Sequence, residues 1–365
     1  MRTQSTSLPK MMSGVVLNGH GGLDKLAYRD DLPVPTPGDN EVVIKVGASA
    51  INNTDINTRI GWYSKQVTSQ TNNGALDGFD ASVDDDASWA GSALSFPLIQ
   101  GADCCGIIVA VGGNVDESRI GERVIIRSMQ QVGDAADHLC RTFGSEVNGG
   151  FAEYAKADAV EAFTVKSELT DSELASFPCA YSTAENMIER ANVKATDTVM
   201  ITGASGGVGS AAIQLAKRRG ARVIAICSQS KREQVLALGA DEVIARDQDV
   251  VKVLGEESVD VVIDLVAGGQ WGSLLTVLRR GGRYAVAGAI AGPMVELDVR
   301  TLYLKDLTFF GCTYQQREVF ENLVSYIERG EIKPLVSKQY PLSEIKTAQQ
   351  AFMAKQYTGK LVLIP

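Results

Sequence analysis

Thr202-Gly-Ala-Ser-Gly-Gly-Val-Gly209 is the stretch on which the reading of this chain turns. The run Asp197 to Ile201 before it is apolar and β-branched, and Val208 to Gly220 after it has a helical pattern. A glycine-rich turn at the end of a parallel strand lets backbone N–H groups approach a pyrophosphate, and the helix N-terminus adds partial positive charge. Ala204-x-Gly206-x-x-Gly209 is the dinucleotide fingerprint with Ala in the first place. Strand before, helix after and a second strand ending about twenty residues on supply the context such a motif needs. Ala204, Ser205, Gly206, Gly207, Val208 and Gly209 are therefore the candidate cofactor cradle.

The end of the second strand selects the cofactor. NAD sites place an Asp or Glu there for the ribose hydroxyls. This chain has Cys227-Ser228-Gln229-Ser230-Lys231-Arg232, and its first carboxylate, Glu233, falls inside the next helix. Small hydroxyls followed by two cations suit a 2′-phosphate. Ser228, Lys231 and Arg232, with Arg246 after the third strand, point to NADP(H) rather than NAD.

Outward from the fingerprint, strand and helix alternate: ARVIAIC, SKREQVLALG, DEVIA, VDVVIDLV, GQWGSLLTVLRR, GRYAVAG. Strands apolar throughout imply a parallel sheet covered on both faces. Asp171 to Arg190 reads as a helix that Pro178 kinks or splits, with Thr170 and Glu173 as a capping box. Before it, VVIKVG (42–47), GIIVAV (106–111) and RVIIR (123–127) are short β-branched runs between Gly- and Pro-rich turns. After LTFFGC (307–312) come a helix, 317–329, and a closing β/α segment that ends in GKLVLIP. Ser64 to Leu98 fits neither texture. It is polar, includes Asp84-Asp85-Asp86, and is long for a loop. It reads first as a solvated surface insertion, with an active-site lid as the alternative; a metal-binding acidic run has nothing else to support it. Phe79, Trp89 and Phe96 argue that part of it packs.

The 365 residues suggest two domains, and a net charge of −9 without a long basic stretch argues against nucleic acid and an anionic membrane surface as partners. No apolar run is long enough to span a bilayer, and the N-terminal residues lack the apolar centre of a secretory signal. The 6 cysteines form no CxxC pair, as expected of reduced thiols in a cytoplasmic protein.

The order of these segments resembles the medium-chain dehydrogenase/reductase superfamily, in its zinc-independent quinone oxidoreductase (zeta-crystallin-like) branch. PGDNEVVIKVGASAINNTDINTRIGWY, GADCCGIIVAVG, GGFAEY, ELASFPCAYSTAENM, RRGGRYAVAG and the terminal GKLVLIP carry the resemblance; the Ser64–Leu98 insertion departs from it. The resemblance implies an α/β protein. A GroES-like β-barrel catalytic domain (1–172, with 313–365 returning to it) would flank a doubly wound Rossmann domain (173–312). The zinc-dependent branch places ligands at positions matching Asn52, Ala102-Asp103 and Cys179. Only Cys179 keeps a ligand type, and catalytic zinc needs about three protein ligands, so no metal is expected. Cys179, Cys104 and Cys105 read as buried thiols, and His20 and His138 as loop histidines.

The resemblance also implies the remaining site. Asn52 would orient nicotinamide or substrate, Tyr63 would donate a hydrogen bond or proton, and Ser182, Thr183 and Gly288 would line the nicotinamide end. Asp55 and Arg59 would be structural partners in the barrel. Without a Lewis acid, a conjugated acceptor is the substrate of choice: a quinone, an enone or a related α,β-unsaturated carbonyl. Reduction of enoyl thioesters and a non-catalytic NADPH-binding role are the alternatives. A small-molecule substrate and a homodimer paired through the Rossmann sheets complete the expectation.

Overall fold

The computed structural model describes residues 8–79 and 85–365. Asp84 of the acidic run and residues 1–7 of the N-terminal stretch lie outside them. Six parallel strands form one sheet: Thr198–Ile201, Arg222–Cys227, Glu242–Ala245, Val259–Asp264, Leu278–Val286 and Thr308–Gly311. Numbered by appearance they lie in the order 3-2-1-4-5-6. The inner strands are buried almost end to end because helices cover both faces. On one face Ala180, Ala184, Ala211, Leu215 and Phe320 meet the sheet, and on the other Trp271, Leu274 and Leu275 do. The strand order reverses between the first and fourth strands, and the crevice there is where such sheets bind ligands.

The second body is a largely antiparallel sheet around the strand Glu41–Ala50. That strand pairs with Cys105–Val111, Tyr154–Asp158 and the last strand of the chain, Lys360–Ile364. Lys360–Ile364 in turn pairs in parallel with Val336–Pro341. Val42, Ile44, Cys104, Ile108, Val124, Ile126 and Phe143 fill its interior. The run 171–190 splits as its proline predicts. Asp171–Leu174 is capped by Thr170 and Glu173 reciprocally, and Pro178 then starts a second helix, Pro178–Arg190. The pattern GQWGSLLTVLRR is α-helical only over Trp271–Val277, after a 3-10 turn over Gly268–Gln270. Leu278 already pairs with Val259 in the sheet, so the Leu-Arg-Arg read as a helix end is strand.

Candidate functional site

The fingerprint folds as a cradle. Ala204 N–H donates to Ile226 O at 3.1 Å and Gly206 N–H to Gly203 O at 3.0 Å, so the turn is pinned to the second strand. The helix Gly207–Arg218 starts immediately after it. A Cβ on Gly209 would stand 2.3 Å from Gly203 O and 2.6 Å from Ala204 Cα, so only glycine lets the helix start this close to the turn. Gly206 is exposed at the crest, which leaves its backbone open to a pyrophosphate. The cradle therefore fits a dinucleotide. Beneath it Asp264 is fully buried and accepts from Thr202 Oγ1 at 2.6 Å, Tyr284 OH at 2.6 Å and Val266 N–H at 2.9 Å. This carboxylate ties the cradle to the loop after the fourth strand, and no motif announced it.

At the adenosine end the cations divide. Arg232 donates to Val243 O at 2.6 Å and so serves the sheet. Lys231 is buried and donates to the Tyr357 carbonyl. Burial lowers the Lys231 ammonium below its usual range, with the charge of nearby Arg246 pushing the same way. Ser228, partly buried, lies within 3.3 Å of Ser230 through the two hydroxyls. A residue missed in the sequence joins this group: Lys355, brought down to about 8 by burial and by Lys231. Among the described residues no carboxylate lies within ion-pair distance of Lys231, Arg246 or Lys355. Lys231 thus stands within reach of the charges of both Arg246 and Lys355, a cationic group that an anion would stabilise.

On the barrel side the helix Asn53–Ile60 begins at Asn52, whose amide is fully engaged. Its Nδ2 donates to Asp103 Oδ2 at 2.7 Å and Ala50 O at 3.2 Å, and its Oδ1 accepts from Lys360 Nζ. Lys360 also donates to Asp103 Oδ2 at 3.0 Å, and Asp103 Oδ1 accepts from Cys179 N–H at 2.7 Å. Lys360 is 2% and Asp103 0% exposed. An ammonium thus stands between the residues matched to zinc ligands. Asp55 beside them accepts from the Asn52 and Ala102 N–H groups, and burial pushes it up to about 7. Burial, then the Asp103 charge, holds the Cys179 thiol well above its usual range. Among the described residues no group of three or more His, Cys, Asp or Glu side chains is arranged to hold a metal.

The segment 355–360 stitches both bodies together. Besides Lys355, Tyr357 and Lys360, Thr358 meets Gln234, and Gly359 N–H donates to Ser205 O in the cradle at 2.9 Å. Gly359 has φ +80°, and a Cβ there would stand 2.2 Å from Leu335 O. The family-like ending GKLVLIP thus carries site residues, Gly359 and Lys360, that no motif marks.

Tyr63 is partly buried and donates to Thr54 Oγ1 at 3.1 Å. Burial raises its phenol, so the hydroxyl keeps its proton at neutral pH. Ser182 and Thr183 are buried on the helix Pro178–Arg190, and both hydroxyls donate to Cys179 O, at 3.4 and 2.7 Å. Gly288 lies two residues beyond the end of the fifth strand, where a Cβ would stand 2.9 Å from Leu265 O. Arg59 is fully buried but has no carboxylate partner among the described residues. It donates to Gln349 Oε1, Gly21 O and Ala75 O, so it is not a partner of Asp55. His20 bonds Thr58 O through Nδ1, and His138 packs edge-on to Tyr314.

The described part of the Ser64–Leu98 insertion is largely solvent-exposed, as expected of a surface insertion, but it is anchored at several points. Trp62 Nε1 donates to Ser69 O at 2.9 Å, and Ala75 O accepts from Arg59 at 2.6 Å. Thr71 is 1% exposed; its hydroxyl donates to Asn57 Oδ1 at 3.1 Å. Its N–H donates to Ile290 O at 3.3 Å, across to the parallel-sheet body just beyond Gly288.

Comparison with known proteins adds to this geometry. The model for the alcohol dehydrogenase GroES-like domain matches residues 38–167, and that for zinc-binding dehydrogenase matches 207–329. A solved chain from Sinorhizobium meliloti 1021, provisionally named an alcohol dehydrogenase, is 45% identical with a TM-score of 0.87, covering 99% of this chain and 98% of that one. Quinone oxidoreductase of Pongo abelii is 28% identical over 97% of this chain and 98% of its own. A 2-octenoyl-CoA carboxylase reductase solved with NADP and 2-octenoyl-CoA is 26% identical with a TM-score of 0.81, covering 99% of this chain and 89% of that one.

Proposed function

Because the chain belongs to the medium-chain dehydrogenase/reductase superfamily, in its quinone oxidoreductase-like branch, we propose that it is an NADPH-dependent oxidoreductase that reduces conjugated carbonyls, quinones and enones first, without zinc. The observation that carries this reading is the Lys360 ammonium, seated on Asn52 and Asp103 where the zinc branch has ligands. A fixed positive charge on those two residues opposes a metal cation there. When bound, the reduced nicotinamide supplies a hydride to the β-carbon of the acceptor. The cradle from Ala204 to Gly209 would hold its pyrophosphate, and Ser182, Thr183 and the Gly288 backbone would flank its nicotinamide. Asn52, held by Lys360 and Asp103, would set the wall against which the acceptor lies. Tyr63, protonated at neutral pH, would turn its single O–H from Thr54 Oγ1 to the acceptor oxygen and stabilise the charge that develops there. Turnover of NADPH with a panel of quinones and enones tests the reading. Activity should survive exhaustive chelation. No turnover with any acceptor would defeat the enzyme reading, and activity that returns only with zinc would defeat the metal-free one.

The relative solved with 2-octenoyl-CoA favours a second reading, reduction of an enoyl thioester. Faster turnover of crotonyl-CoA than of any quinone or enone would select it.

NADPH is expected to bind more tightly than NADH. Lys231→Ala with Lys355→Ala should weaken NADPH about tenfold to a hundredfold, the worth of charge-assisted bonds to one phosphate, and change NADH less than about threefold. Calorimetric titration of both cofactors decides it. Tyr63→Phe should lower turnover by about a hundredfold with NADPH affinity unchanged, since it removes one positioned proton donor.

A homodimer is part of the same proposal. The strand Thr308–Gly311 is one edge of the parallel sheet, and Val299, Tyr303 and Leu304 just before it in sequence are 60%, 59% and 57% exposed. Light scattering should give twice the 38.9 kDa chain mass.

A further inference from the structure

The insertion does more than bridge the two bodies. It brings Trp89 alongside Tyr63, with the rings 15° from parallel and their centroids 6.1 Å apart. Trp62 meets Tyr63 edge-on at 5.8 Å. Such offset and edge-on arrangements are the favoured ones for aromatic pairs. Trp89 is not on a free loop. Ser88 before it is 0% exposed, and Ser88 and Ser92 close a turn around it through a backbone bond of 3.1 Å. Ala90 N–H donates to Glu146 Oε1 at 3.0 Å, and the other oxygen of Glu146 accepts from Thr142 N–H at 2.6 Å. Asp86 accepts from Lys65 N–H at 3.0 Å. The indole is therefore held from both sides, yet it remains partly exposed. Thr71, from the same insertion, reaches the loop beyond Gly288. Two indoles are thus fixed against the ring of Tyr63, the proposed proton donor.

We propose that Trp89 is a specificity-determining residue of this site, and that its indole with the Tyr63 ring forms a platform selecting flat, ring-shaped conjugated carbonyls over open-chain ones. A flat acceptor gains stacking over its whole face. An open-chain enone presents no ring to stack and gains only the hydrogen bond to its oxygen. The proposal rests on the conjugated-carbonyl reading above and names the acceptor class within it.

The test compares menadione with trans-3-nonen-2-one in the NADPH assay for the parent, Trp89→Phe, Trp89→Leu and Trp89→Ala proteins. Trp89→Leu fills space without a π face, so it separates stacking from bulk. For Leu and Ala, KM for menadione should rise at least tenfold, with KM for the nonenone within twofold and NADPH affinity unchanged. Phe should stay within threefold of the parent for both. Equal effects on both acceptors, or none on either, would overturn the proposal and leave Trp89 as packing. Should the parent reduce no acceptor, the function reading fails by itself. Calorimetric binding of menadione to the protein–NADP⁺ complex then decides this one: at least tenfold weaker for Leu than for Phe upholds it, and equal affinity overturns it.

Discussion

Lys360→Met lowers stability by about 3–5 kcal/mol, the cost of leaving one partner of a buried ion pair uncompensated. Asp103 is fully buried, and Lys360 is its cationic partner at 3.0 Å. Without the ammonium, Asp103 keeps only the Asn52 amide and the Cys179 N–H. In domains of this size about 1 kcal/mol moves Tm by roughly 2–4 °C, so a fall of about 10 °C is expected. Asp103→Asn added to Lys360→Met removes the stranded charge and should recover part of the loss. Thermal unfolding followed by circular dichroism reads both. A Lys360→Met protein melting within 2 °C of the parent would show that the pair does not hold the site together.

Gly209→Ala should weaken NADPH binding by more than about a hundredfold, because the turn must open and its N–H groups then miss the pyrophosphate. The added methyl would stand 2.3 Å from Gly203 O and 2.6 Å from Ala204 Cα, and backbone cannot yield as a side chain does. Gly206→Ala is the control for the fold. Its Cβ would meet only Gly203 O, at 3.4 Å, so its melting temperature should stay near that of the parent. Titration and melting curves on the two variants separate loss of cofactor from loss of structure. NADPH affinity within fivefold of the parent in Gly209→Ala would mean that the cradle is not the binding turn.

The parts legible in the sequence are those whose cause is local. The glycine cradle, its flanking strand and helix, and the capped turn at Thr170 each lie within about twenty residues, and periodicity and turn chemistry announce them. What the sequence did not show depends on residues far apart in the chain. Lys360 meets Asn52 across 308 positions and Lys231 meets the Tyr357 carbonyl across 126, and no spacing rule links such pairs. Lysines near a chain end look like ordinary surface residues until the strand that carries them is placed inside a sheet. Arg232 fails for a related reason: its neighbours in sequence suggest a phosphate, but the nearest acceptor in space is the Val243 carbonyl. The insertion is polar and much of it is solvated, but its anchors on Asn57, Arg59 and Ile290 are set by residues far along the chain or in another body, and no local pattern announces them.

The pairing of Lys360–Ile364 with Glu41–Ala50 also sets an order of events during synthesis. The strand Glu41–Ala50 leaves the ribosome early, but its partner emerges some three hundred residues later. The nascent barrel must wait with one ladder edge unfilled, open to other chains. The parallel-sheet body, whose strands all lie between Thr198 and Gly311, can form in the interval. Once folded, it replaces a long flexible loop with a rigid connector and lowers the entropy cost of bringing the two strands together. Folding in the middle of the chain thus prepares the closure of its ends, and that closure also delivers Lys360 to the site.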